Sequence, residues 1–267
     1  MVMRHSLIAY PFMYIHVTLQ YANGMFMHIA LLDANTDRSA FAARHSSEAE
    51  KFQALLAPVT QGWRYTAFKL PDGEAPDSLA PGTFDGVIVS GSPASVHDDA
   101  PWVAGLLAML RDSILAGMPV FGACFGHQAV ARALGGRVGR NPGGWVLGRV
   151  ESDLRDPASW TAAGPVALNA AHNEQVLMPP PGARVLGGTE ATPYGHLAIG
   201  NTVFTTQYHP EITPDFMAAL IEELASHDPA DVPAEALARA RASLDQNVDN
   251  GRMARWIADF FAQASSR

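Results

Sequence analysis

One cysteine stands in the whole chain, Cys124, and it lies in "PVFGACFGHQAVARALGG", residues 119–136. An apolar run leads into Gly122-Ala123-Cys124-Phe125-Gly126, and a helical pattern follows. This is the G-x-nucleophile-x-G arrangement, in which a sharp strand-to-helix turn presents a reactive side chain. Such a turn strains the backbone of its central residue, so the flanking positions must carry almost no side chain. The helix after Cys124 directs its unsatisfied N–H groups and positive dipole end at the sulfur, which favours a thiolate. The N–H of Phe125 is placed to receive a developing oxyanion. A lone cysteine has no partner for an internal disulfide, which fits a reducing, cytoplasmic setting.

A base and its orienting carboxylate stand in "QYHPEI", where His209 and Glu211 are two apart at the end of a strand pattern. Residues i and i+2 of an extended chain face the same way. Glu211 can then hold Nδ1 of His209 while Nε2 addresses the sulfur, a Cys-His-Glu nucleophilic triad. A third piece, "VSGSPAS", runs a strand into Gly91-Ser92-Pro93 and offers backbone N–H groups at the carboxyl edge of the sheet.

The elements that must position these groups read as an α/β fold. "HIALLD", "YTAFKL", "GVIVSGSP" and "PVFGA" have strand character, and helical spacing fills residues 39–56, 101–116 and 125–134. Strands alternating with helices indicate an open, mostly parallel sheet with helices on both faces. Residues 137–200 read as short strands and turns, 201–212 as a strand, and 234–248 and 252–264 as helices. The domain reading is an N-terminal extension over 1–26, disordered or mis-started, a catalytic domain over 27–228, and a C-terminal helical extension over 229–267. The apolar face of that extension packs on the domain or pairs two copies into a homodimer.

The chain of 267 residues is 48% hydrophobic, enough for a substantial core, and its net charge of −8 without a Lys/Arg-rich block speaks against a nucleic-acid partner. Pro11 and His16 interrupt the one apolar N-terminal stretch, so neither a signal peptide nor a membrane span is expected. Ten histidines without metal-ligand spacing give no expectation of a metal site, and no cofactor is expected.

With "SGSPAS", "GACFGHQAVARALGG", "HNEQV" and "YHPEI" in this order, the chain resembles the class I glutamine amidotransferases, particularly the stand-alone, GMP-synthase-like members. The resemblance implies a flavodoxin-like fold and a glutaminase-type hydrolase using Cys124 as nucleophile, His209 as base and then acid, and Glu211 as its orienter. It also implies an oxyanion hole from the N–H groups of Ser92 and Phe125, and substrate contacts from Gly91, Gln128, His172 and Asn173. Many members carry glycine where this chain has Ser92, although that role needs only a backbone N–H. Three functions stay open. The first is cleavage of the γ-amide of glutamine through a cysteine thioester, with ammonia passed to a separate synthetase or acceptor subunit. The second is a γ-glutamyl peptidase acting on glutathione-like conjugates, which a wide pocket around Cys124 would favour. The third is a non-catalytic regulatory subunit.

Overall fold

The computed structural model describes residues 26–227 and 231–265. Of the N-terminal extension, residues 1–25 lie outside the described residues. A nine-stranded sheet organises the chain, in the order β2 (Arg64–Lys69), β1 (His28–Asp33), β3 (Gly86–Val89), β4 (Val120–Ala123), β11 (Val203–Thr206), β10 (His196–Ile199), β9 (Ala183–Gly188), β6 (Val146–Leu154) and β7 (Gly164–His172). Strands β2, β1, β3, β4 and β11 pair in parallel, and the rest form an antiparallel wing. A two-stranded ribbon of β5 (Arg137–Arg140) and β8 (Glu174–Met178) stands apart from this sheet.

The parallel half is covered on both faces, so its strands are apolar on both. Ile29 and Leu31 of β1 point into one core with Ile88, Phe121 and Phe204. That side is closed by α1 (Glu48–Leu56) and α6 (Asn250–Ser265), which contribute Phe52, Leu56, Trp256, Ile257, Phe260 and Phe261. Ala30 and Leu32 point the other way, against α2 (Pro101–Leu115) and α3 (Phe125–Ala133). Each of these large side chains, fully buried, contributes about 1.5–3 kcal/mol. The apolar face of α6 is therefore occupied within its own chain. Helices α4 (Pro214–Ser226) and α5 (Ala234–Ala242) form a smaller core around Met217, Ile221 and Ala240 beside β6. Among the described residues no helix is long and apolar enough to cross a membrane.

Three expected elements are shorter than their sequence patterns. The helix expected over 39–56 is a 3-10 turn at Ala42–Arg44 followed by α1, because Ser47 starts a new helix with a reciprocal capping box to Glu50. The helix expected over 234–248 ends at Ala242, where the Ser243 hydroxyl donates to the Ala240 carbonyl. The strand expected over 201–212 stops at Thr206, whose hydroxyl accepts from the N–H of Tyr208 and bends the chain out of the sheet.

Register then fixes what meets at the carboxyl edge. Val89 of β3 is opposite Gly122 of β4, and Thr206 of β11 is opposite Ala123. One or two residues further on, Gly91, Cys124 and Gln207 fall in one row. The glycines of the turn are needed for close approach: a Cβ on Gly126 would lie 2.3 Å from the Val89 carbonyl oxygen, and one on Gly122 would lie 2.7 Å from the backbone of Gly126. Gly126→Ala should therefore lower stability by about 1–3 kcal/mol. Gly105→Ala, on the open face of α2 with nothing within 4 Å, should raise it by about 0.5–1 kcal/mol. Urea unfolding of both variants beside the parent checks the pair of signs.

Candidate active site

Cys124 sits between β4 and α3 with φ 49° and ψ −104°, the one non-glycine residue of positive φ among the described residues. Strain of this kind costs on the order of 1–3 kcal/mol and persists only where the surroundings over-determine it. Here the Cys124 N–H donates to the Thr206 carbonyl at 2.9 Å, its carbonyl accepts from Gln128 N at 3.0 Å, and Gly126 N reaches back to the Ser90 carbonyl at 3.1 Å. The side chain is buried at the amino end of α3.

His209 and Glu211 are not on a strand as the spacing had implied; they occupy the turn after β11. The His209 N–H donates to the Asn169 carbonyl of β7 at 2.8 Å. The Asn169 amide donates to the Ile212 carbonyl at 3.0 Å, and so does Asn250, at 2.9 Å. Within that turn His209 Nδ1 donates to Glu211 Oε1 at 2.6 Å, both side chains buried. Nε2 makes no hydrogen bond of normal geometry among the described residues. Burial by itself would depress the imidazole, but the negative charges of Cys124 and Glu211 outweigh it and hold its pKa well above the usual histidine range. Gly91 completes the contact: a Cβ there would lie 2.7 Å from His209 Cε1 and 3.7 Å from Cys124 Cβ.

The remaining candidates fall at different distances from this centre. The backbone N–H groups of Ser92 and Phe125 have no hydrogen-bond partner among the described residues. Gln128 is 4% exposed, and its amide donates to the Glu174 carbonyl at 2.8 Å and to Gln207 Oε1 at 3.3 Å. His172 ends β7 with Nδ1 3.0 Å from the Glu174 carbonyl; burial, then the nearby charge of His209, pushes its pKa down to about 4. Asn173 lies apart, in a neighbouring hollow with Arg140 and His227.

Gln207 was not singled out from the sequence. It is fully buried, its Nε2 donates to Cys124 Sγ at 3.7 Å, and Gln128 fixes its orientation by occupying Oε1. Only its place immediately before the histidine turn, at the end of a strand next to β4, could have signalled it. Asn169 had no such signal, being 40 residues before His209 in sequence.

A cleft opens at His209 and Gly91 and runs outwards between Trp145, Phe41 and the α4 side chains Phe216, Leu220 and Leu224. Glu48 lies on its inner wall. Burial pushes its carboxyl up against the pull of Lys51, and the charge of Glu211 adds to the rise. Among the described residues no cluster of three or more His, Cys, Asp or Glu could hold a metal ion.

The family model described as "Glutamine amidotransferase class-I" matches residues 34–223. Gamma-glutamyl peptidase 3 of Arabidopsis thaliana is 28% identical over 61% of this chain and 69% of its own length. A GMP synthase [glutamine-hydrolyzing] of Aeropyrum pernix is 36% identical over 48% of this chain but only 24% of its own length. The crystal structure of a glutamine amidotransferase from Thermotoga maritima superposes with a TM-score of 0.68 at 15% identity, over 89% of this chain and 99% of that one. Its fold is shared; the parallel sheet flanked by helices is that of the class.

Two substitutions probe the geometry. Glu211→Gln removes a charge that raises the His209 pKa, so the imidazolium should lose its proton at lower pH; an NMR titration of His209 should show its midpoint moving down. Gln207→Met keeps the volume but removes the donor to the sulfur, and the rate of Cys124 alkylation by iodoacetamide, measured at one fixed pH, should fall below that of the parent.

Proposed function

This chain belongs to the class I glutamine amidotransferase family, and from that premise we propose that it hydrolyses γ-glutamyl amide bonds through a thioester on Cys124. The thiolate attacks the γ-carbonyl carbon, and the oxyanion that forms is received by the N–H groups of Ser92 and Phe125. As the C–N bond breaks, the His209 imidazolium transfers its proton to the departing nitrogen. Water then attacks the thioester, His209 takes a proton from it, and the C–S bond breaks to give glutamate and the thiolate again. Glu211 holds the ring in one orientation and stabilises the imidazolium in both steps.

The observation that carries this reading is the open cleft beginning at His209. Ammonia, the leaving group from free glutamine, needs no such space, whereas a substituted amine does. The γ-glutamyl peptidase relative, matched over 69% of its length, supports the same choice. A second reading, ammonia delivery to a separate synthetase, is favoured by the GMP synthase relative; the match spans 24% of that enzyme, so the acceptor chemistry would lie outside the matched region. Retention of the fold without catalysis is disfavoured because the strained Cys124 backbone lowers stability without a structural return.

The test is to incubate the protein separately with glutamine, glutathione and a glutathione conjugate, and to measure glutamate, ammonia and released dipeptide. Dipeptide and glutamate should appear with little ammonia, and Cys124→Ala should lower the rate on the order of a thousandfold or more. Cysteine-dependent ammonia from glutamine as the main product would favour the second reading instead.

A further inference from the structure

The reaction steps use the sulfur, the imidazole and two N–H groups but leave the outer wall of the cleft without a role. That wall is apolar by design of one helix. Met217 and Ile221 of α4 are buried in the small core, while Phe216, Leu220 and Leu224, spaced four apart on another side, are only partly buried and line the cleft. Trp145 lines the cleft as well, and so do Phe41, 5.7 Å from the Phe216 ring, and His45, edge-on to Phe216 at 5.0 Å.

The charges in the cleft largely offset one another: Asp33, Asp37 and Glu48 stand among Lys51, Lys69 and the His209 imidazolium, so the apolar wall is left to discriminate between substituents. Lys51 is already engaged, with Nζ 2.7 Å from Glu48 and 3.6 Å above the Phe216 ring. Because His209 must hand its proton to the departing nitrogen, that nitrogen lies beside the imidazole, and its substituent extends into the space that opens there.

We infer that the amine released carries an apolar group, aromatic or branched aliphatic, seated between Trp145 and the Phe216-Leu220-Leu224 stripe. The reaction is then γ-glutamyl-NH–R plus water giving glutamate and R–NH3+. This inference rests on the γ-glutamyl reading above and narrows its substrate class.

The experiment compares kcat/KM for γ-glutamylphenethylamide, γ-glutamylmethylamide and γ-glutamylglycine in the parent, Leu220→Asp, Leu220→Gln and Trp145→Ala, with folding of each checked by circular dichroism. The parent should prefer the phenethylamide over γ-glutamylglycine on the order of 30-fold, the range an apolar pocket supplies. The ratio of phenethylamide to methylamide should fall about tenfold in Leu220→Asp, and by less in Leu220→Gln and Trp145→Ala. Equal or better use of γ-glutamylglycine by the parent, or an unaltered ratio in every folded variant, overturns the inference while leaving γ-glutamyl hydrolysis intact. If the parent cleaves none of the three amides and Cys124→Ala binds none of them by calorimetry, the γ-glutamyl reading itself falls, and this inference with it.

Discussion

The arrangement at the site depends on one backbone conformation, that of Cys124 at the end of β4. A left-handed φ at a residue with a side chain is unfavourable in isolation. It is imposed here by three hydrogen bonds that tie the turn to β11, to β3 and to α3, and by two glycines that let the turn press against its neighbours. The same hydrogen bonds that hold the strain also set the register that brings Gly91 and Gln207 alongside the sulfur.

The two halves of the sheet divide the work. The parallel half, buried on both faces, supplies the rigid edge on which Cys124 is held. The antiparallel wing supplies the anchor for His209: β7 grips its turn through the backbone and side chain of Asn169, and α6 reinforces it through Asn250. The imidazole is thus placed by contacts with segments far from it in sequence, while its protonation is governed by the two anions at its sides. The smaller core of α4 and α5 adds the one part of the cleft that needs no strict geometry, an apolar wall.

Much of this was legible from residues 86–93, 119–136 and 207–212, because glycine spacing and strand-to-helix switching are local signals. The parallel core, its helices on both faces and the cysteine turn could be read that way. Other features could not. The strand that was to align His209 with Glu211 ends at Thr206, since a side-chain hydrogen bond competes with the ladder, and the pair meets through a turn instead. Gln128 has the helical position of a surface amide yet is buried by the packing of β8 and β11 around it. Gln207 acquires its contact with the sulfur only from the register of two strands about 80 residues apart, which no local pattern encodes. The cleft wall likewise needs α4, the loop before β6 and the turn after β1 in one place.

The most direct test of the central claim is to quench the protein in acid during turnover of a γ-glutamyl amide and measure its intact mass, then locate any adduct by peptide mapping. A gain of one γ-glutamyl group on Cys124, formed within a turnover and discharged by hydroxylamine, is the expected result. Product formation with Cys124 unmodified throughout, or undiminished turnover by Cys124→Ala, would contradict the account.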